Sequence, residues 1–168
     1  MSPRSGQLDT LVDLVVERLS LARDVAAAEY GSGDPIDDPI RERQILRSVG
    51  CALNTAPVSR RTGIRFFRDQ IEASKVVQRG LYHRWHRHPE EIPATNPGLA
   101  VEVRPKLDRI TAQIIQQFKC VDEVPCFKPG DVADLIDRRF SAAVPERQLP
   151  RLHRHAAAFA MRSLSADC

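Results

Sequence analysis

Polar side chains recur on the apolar stripes of the helices that this sequence predicts. In the first of these helices the apolar positions follow one another at steps of three and four, and Arg18 and Glu29 lie on the same stripe. Arg41 shares a second stripe, and Ser74 and Gln78 interrupt a third. Because an unpaired charge in a packed core costs several kcal/mol, such side chains must pair or surround a polar ligand. The sequence therefore predicts a polar pocket inside a helical bundle.

Length and patterning favour one helical domain. The chain has 168 residues, enough for one domain with a sizeable core. No segment shows the sustained alternation that a half-exposed strand requires. We expect an all-α, single-domain bundle of about six helices over residues 1–168, in which residues 1–88 form the pocket and residues 98–168 add a second helical half.

Capping and stop signals delimit these helices. Asp38 can cap a helix that begins at Pro39, where the missing N–H does no harm. Ser59 is a candidate cap for the third helix, and a series of prolines from Pro89 onwards stops it. The predicted helices cover roughly residues 7–30, 39–53, 60–86, 107–118, 132–140 and 152–164.

The charge pattern narrows the class of partner. The net charge is +3, and the basic residues are interleaved with acids, so we expect no nucleic-acid partner. No apolar run approaches the roughly 18 residues that span a bilayer, so we expect no membrane partner. The N-terminus lacks the apolar segment of a secretory signal. A signal peptide that was removed beforehand stays an open alternative. Anionic small molecules fit this charge pattern.

Two histidine-rich segments raise the question of a metal site. They are the run from His83 to His88 and the pair His153 and His155. Since carboxylate or cysteine partners at ligand spacing are missing, we expect a solvated basic helix end and no metal site.

Three segments of the chain resemble the all-helical chorismate mutases. They are VAAAEY at residues 25–30, IDDPIRE at residues 36–42 and DQIEASKVVQ at residues 69–78. The resemblance is closest to the exported, periplasmic or secreted subclass, which also has a Trp-x-x-x-Pro segment (Trp85 to Pro89), a proline-rich connector and a further helical half.

The resemblance implies an isomerase that converts chorismate to prephenate by a pericyclic rearrangement. It implies no metal, no cofactor and no covalent intermediate. It also implies a homodimer and a periplasmic or secreted location, with a cytoplasmic location as the alternative. The substrate is a small dicarboxylate, and it must be held in its compact, reactive conformer.

By the family pattern, two arginines and two acids bind the substrate. Arg18 and Arg41 would grip the carboxylates, for which the planar guanidinium fork is suited. Asp38 and Glu42 would contact the substrate hydroxyl.

Three further residues complete the implied site. Ser74 would help bind a carboxylate, and Gln78 would donate a hydrogen bond to the ether oxygen, where negative charge grows as the bond breaks. Arg104 is a candidate for an extra carboxylate contact.

Glu29 departs from the family, which usually has a lysine here that bridges a substrate carboxylate and the ether oxygen. A carboxylate about 4 Å from a substrate carboxylate, at an effective dielectric of about 20, turns roughly 4 kcal/mol of attraction into similar repulsion. A protonated Glu29 could donate a hydrogen bond, but nearby arginines favour the ionised form. Ion pairs with Arg18 or Arg41 are the simpler expectation.

Two alternatives follow from this reversed charge. One is a diverged pericyclase or lyase, such as an isochorismate pyruvate-lyase, whose substrate tolerates Glu29. The other is a non-catalytic binding protein in which Glu29 and the arginines neutralise one another and close the pocket.

Whether the four cysteines form disulfides depends on the redox compartment of the protein. The resemblance to the exported subclass implies a disulfide between Cys126 and Cys168. Cys51, on the second predicted helix, is expected to be a buried free thiol.

Overall fold

The chain forms a bundle of helices. A computed structural model describes residues 3–94, 98–120, 128–143 and 150–164, and over these ranges it contains no strand. All six predicted helices are present, and the first is divided in two, so the all-α prediction is confirmed. The helices are α1 (Pro3–Ser20), α2 (Ala22–Ser32), α3 (Pro39–Ala52), α4 (Arg60–Arg87), α5 (Arg104–Lys119), α6 (Pro129–Ala143) and α7 (Pro150–Met161).

The two predicted caps form as expected. The Asp38 carboxylate accepts a hydrogen bond of 2.9 Å from the backbone N–H of Arg41, and Pro39 is the first residue of α3. The Ser59 hydroxyl accepts one of 3.1 Å from the backbone N–H of Thr62. Each cap satisfies a donor that the first turn of a helix leaves free, which fixes where α3 and α4 begin.

The division between α1 and α2 is a local distortion of one long helix. Leu21 keeps helical dihedral angles, with φ −70° and ψ −14°. Its N–H donates to the carbonyl of Glu17 at 3.3 Å, and its carbonyl accepts from Val25 at 3.0 Å. The backbone hydrogen bonds thus continue through Leu21. The α2 segment ends at Gly33, whose φ of +75° suits glycine.

Helix α4 is the centre of the bundle. It packs against α1, α2, α3 and α7, and it buries large side chains that include Phe66, Phe67 and Trp85. Helix α1 packs against α5, α6 and α7 as well, and its Leu11 and Leu19 are fully buried. Polar residues on the inner stripes of α1 and α4 are therefore held beside a close-packed core.

A buried polar cluster fastens the end of the described chain to α4. The Asp69 carboxylate accepts hydrogen bonds from the Ser163 hydroxyl and, at 2.8 Å, from the Arg162 guanidinium. The Gln70 amide donates to the carbonyl of Ala160 at 3.0 Å. Asp69, Gln70 and Ser163 are all buried, so these bonds replace hydration that the fold removes.

The cysteines differ in part from expectation. Cys51 is a free thiol, but it is exposed, so the expectation of a buried thiol is wrong. It lies near the end of α3, on a side that the other described helices leave exposed. Cys126 and Cys168 lie outside the described residues, and their disulfide stays a prediction. Among the described helices none is both long and apolar enough to cross a membrane.

The Asp69 cluster yields a test of the fold. We expect Asp69→Ala to lower the free energy of unfolding in urea by about 1–3 kcal/mol, because the buried Ser163 hydroxyl loses its acceptor. Asp134→Ala is the matched control, since Asp134 is exposed on α6, and we expect a change within about 0.5 kcal/mol. Equal effects of the two substitutions would contradict a stabilising role for the cluster.

Candidate functional site

A cavity of about 520 Å³ lies among α1, α2, α3, α4 and the start of α5. All eight predicted substrate-contacting residues line it. They are Arg18, Glu29, Asp38, Arg41, Glu42, Ser74, Gln78 and Arg104. Positions far apart in the sequence are therefore brought to one place, as the shared stripes predicted.

Arg18 is the most deeply buried cation of the cavity, with 6% of its surface exposed. Its Nη1 donates to the Thr111 hydroxyl at 3.0 Å and to the carbonyl of Leu107 at 3.4 Å, while its Nε has no partner among the residues that the structure describes. Burial lowers the pKa of Arg18 to about 10, partly offset by the charge of Asp108. The guanidinium is still charged at neutral pH and has a donor to spare.

Arg41 lies at the edge of the cavity. Its guanidinium is 3.7 Å from the Asp108 carboxylate, and both side chains are partly solvated. Such an exposed pair contributes little to stability, so a bound carboxylate can replace Asp108 at small cost. Asp38, next to it, already caps α3, which fixes its carboxylate at the cavity wall.

Ser74 and Gln78 lie one turn apart on α4. The Gln78 amide nitrogen donates to the Ser74 hydroxyl at 3.1 Å, and its Oε1 is buried without a partner in the described part of the chain. An amide has two N–H donors and can exchange its oxygen and nitrogen by rotation. Gln78 can therefore offer a donor or an acceptor to a ligand in the cavity.

Lys75 is a cavity residue that sequence reasoning missed. Its ammonium contacts carboxylates of Glu72 at 2.7 Å, Glu42 at 3.1 Å and Asp37 at 3.1 Å, and its side chain is 9% exposed. Burial alone would lower the pKa of Lys75, but the three hydrogen bonds outweigh it and raise that pKa. The signal in the sequence is a lysine beside Ser74 on the inner side of α4, with Glu72 one turn before it.

Glu29 forms no ion pair with either arginine expected to hold it. Arg18 bonds to α5, and Arg41 faces Asp108. The Glu29 Oε2 is buried and has no hydrogen-bond partner in the described part of the chain.

The ionisation of Glu29 is shifted as a result. Its pKa is raised to about 7, mainly by burial and also by the charges of Asp34 and Asp38, while the charge of Arg104 opposes this shift. Desolvation therefore outweighs the nearby cations, against the expectation that Arg18 and Arg41 favour the ionised form.

A separate cluster lies beyond the end of α4. Ligand atoms of His88, Glu90 and Glu91 lie within 4.8 Å of one another, so carboxylate partners that the sequence pattern did not reveal are present. His88 already contacts Glu90 at 3.2 Å, and Glu91 pairs with Arg84. The groups satisfy one another at the surface, which argues for a helix terminus held by ion pairs.

The comparisons with known proteins agree on one family. Residues 9–79 match the family described as chorismate mutase type II. The chain is 30% identical to a secreted chorismate mutase of Mycolicibacterium smegmatis over 162 residues, which is 95% of this chain and 86% of the relative. It is 28% identical to a secreted chorismate mutase of Mycobacterium tuberculosis over 163 residues, covering 95% and 78%.

A solved structure shares the fold. The crystal structure of a chorismate mutase from Burkholderia phymatum superimposes with a TM-score of 0.83 at 27% identity. The match covers 98% of this chain and 99% of that one. The likeness thus includes the helices that follow α4 as well as those before it.

The stabilising role of the Lys75 ion pairs can be tested by varying the salt concentration. We expect Lys75→Met to lower the free energy of unfolding by about 1–3 kcal/mol, because Asp37, Glu42 and Glu72 lose their common cation. Added salt should reduce this loss, since it screens the repulsion left among the carboxylates. Lys106→Met, at an exposed position of α5, is the control and should be nearly neutral. A loss that does not depend on salt would contradict the electrostatic explanation.

Glu29 gives a test by pH. In the unfolded chain its pKa is near 4.5, and in the fold it is about 7, so between these values the unfolded state binds fewer protons. The contribution of Glu29 to the free energy of unfolding therefore falls as pH rises from about 4.5 to about 7. We expect the melting temperature of Glu29→Gln to exceed that of the wild type by an amount that grows from about pH 5 to about pH 8. A difference that is constant over this range would show that Glu29 has no shifted pKa.

Proposed function

Since the chain belongs to the type II chorismate mutase family and is an isomerase that converts chorismate to prephenate, we propose that the cavity among α1 to α5 is its active site. The observation that carries the proposal is the convergence of three arginines from three helices. Arg18 comes from α1, Arg41 from α3 and Arg104 from α5, and all three line one cavity of about 520 Å³. Guanidinium forks at separate points suit a substrate with two carboxylates.

The reaction requires no proton transfer to or from the protein. One C–O ether bond breaks while one C–C bond forms, and the electrons move within a single ring of atoms. The protein must hold the substrate in the compact conformer in which the reacting carbons meet, which can lower the barrier by several kcal/mol. Arg18 and Arg41 would fix the two carboxylates for this purpose.

Charge that develops on the ether oxygen needs a donor. Gln78 is buried, and its amide is oriented by the Ser74 hydroxyl. We assign to Gln78 the hydrogen bond to the ether oxygen, and to Ser74 a carboxylate contact. Preorganised donors of this kind stabilise a transition state more than a ground state.

The substrate hydroxyl would be bound by Asp38 and Glu42. The cap of α3 fixes the Asp38 carboxylate, and Lys75 fixes that of Glu42. Neither acid then needs to be ordered when the substrate binds. Residues 1–168 would act as one unit, because α5 supplies Arg104 and the groups that hold Arg18.

The proposal is tested by product analysis. We expect the purified protein to convert chorismate to prephenate, identified by chromatography, and Gln78→Leu to lower kcat/KM by about a hundredfold because one donor to the ether oxygen is lost. Gln113→Leu, at an exposed position of α5, should keep the wild-type kcat/KM. Equal activity of the two variants would contradict the assignment of Gln78.

Other outcomes identify the alternatives. Release of pyruvate from isochorismate would show lyase chemistry. No turnover, with no rise of melting temperature on adding chorismate, would show a closed, non-catalytic pocket. The open cavity argues against this last possibility.

We also propose that the protein is an exported homodimer with a disulfide between Cys126 and Cys168. The support is the likeness to relatives that are named as secreted. Alkylation of the unfolded, non-reduced protein should then label only Cys51 and Cys120, the free thiols of the described chain, and reduction should add two sites. Labelling of all four cysteines without reduction would contradict the disulfide, and sedimentation would give the subunit number.

A further inference from the structure

The Glu29 carboxyl group lies in the cavity with an unused polar atom. It lines the same cavity as the three arginines, and its Oε2 is buried with no hydrogen-bond partner within the described ranges. A buried carboxylate oxygen in this state is costly, whereas a protonated oxygen facing a ligand gains an acceptor. The geometry thus leaves a place for a hydrogen bond to a bound molecule.

Charged groups on several elements act on Glu29 or line the same cavity. Most of the charged groups on α1, α3 and α5 already contact other groups on these helices, since Arg41 faces Asp108 and Arg18 bonds to α5. On α4, Lys75 is held by three carboxylates. The titratable and charged groups that face the cavity or act on Glu29 are Arg18, Asp34, Asp38, Arg41, Glu42, Lys75, Tyr82, Arg104 and Asp108.

The formal charge of the cavity is balanced when Glu29 is ionised. Four cations line it, and four acids, counting Glu29, line it as well. A neutral cavity offers no net attraction to a dianion. Protonation of Glu29 leaves a net charge of +1 and removes a negative charge that would repel a substrate carboxylate.

A neighbouring buried group leaves this charge balance unchanged. The Tyr82 hydroxyl, on α4, is buried and has no hydrogen-bond partner among the described residues, and its pKa is raised to about 12, chiefly by burial. It therefore stays neutral and adds no negative charge near the carboxyl group.

We propose that Glu29 is a substrate-binding residue that acts as a neutral carboxylic acid and donates its proton in a hydrogen bond to the dianion, at the point where the family usually has a lysine. The proton stays on Glu29 throughout, since the rearrangement needs none. This inference rests on the proposed function, because it places the substrate in the same cavity.

Binding and ionisation are then linked. A dianion beside Glu29 favours the protonated form, so substrate binding takes up protons when the free carboxyl group is partly ionised. The pKa of about 7 in the free protein places this uptake near neutral pH. The carboxyl groups of the substrate titrate near the usual value of about 4 and stay ionised throughout this range.

The first experiment is a pH profile of kcat/KM for chorismate from about pH 5 to about pH 9. We expect the wild-type value to be level at low pH and to fall about tenfold per pH unit above about pH 7. Glu29→Gln cannot ionise but keeps a donor, so its profile should be level. At about pH 9 it should exceed the wild type by about tenfold or more.

The Glu29→Ala variant distinguishes a hydrogen-bond donor at this position from a side chain that acts only through its charge. If Glu29 donates a hydrogen bond, the alanine variant should have a kcat/KM about tenfold below that of Glu29→Gln at every pH. If Glu29 only repels the substrate, the two variants should be equally active, and the proposal is overturned. Asp134→Asn, on the exposed side of α6, is the control and should keep the wild-type profile.

Proton uptake gives a readout that a structural role would not change. Calorimetric titration with prephenate near pH 8, in two buffers of different ionisation enthalpy, should show uptake of up to one proton by the wild type and none by Glu29→Gln. A level wild-type profile, or equal uptake by both proteins, would overturn the proposal. If no variant forms prephenate at any pH, the proposed function itself fails.

Discussion

The buried guanidinium of Arg18 is the constraint on which the rest of the site depends. A cation taken out of water needs polar groups in place of its hydration, and the stripe of α1 on which Arg18 lies is otherwise apolar. Helix α5 supplies those groups, the Leu107 carbonyl and the Thr111 hydroxyl. The second half of the chain must therefore lie against α1. In that position it also brings Arg104 and Asp108 to the cavity.

The remaining donors of the site are left for the substrate. The Arg18 Nε has no partner in the described structure, and a buried donor without an acceptor is costly until a carboxylate arrives. Arg41 has a long, solvated contact with Asp108, which a ligand can replace. Lys75 is different, because three carboxylates saturate its ammonium. It therefore orients acids of the cavity wall and is not itself open to a substrate carboxylate.

Local rules were sufficient for the helices and for much of the site. Caps at Asp38 and Ser59 need only a few neighbouring residues, and a period of 3.6 decides which side chains share a face. Contacts between distant helices follow no such rule. Thr111, which holds Arg18, is 93 residues away from it in the chain. The exposure of Cys51 likewise depends on which side of α3 the other helices cover, and the sequence of α3 alone does not determine that.

The ionisation of Glu29 was beyond sequence reasoning for the same reason. Two arginines on neighbouring stripes indicated an ionised carboxylate, but in the fold both face other partners, and desolvation prevails. A lysine, whose ordinary pKa is about 10.4, carries its charge near neutral pH with or without a substrate. A carboxyl group with a pKa of about 7 can lose its charge when a dianion arrives, since the dianion raises that pKa further. Replacing lysine by glutamate therefore reverses the charge of the free side chain without reversing its interaction with the substrate. The site keeps a hydrogen-bond donor at this position, and the fraction of the protein in which Glu29 carries the donor proton depends on pH.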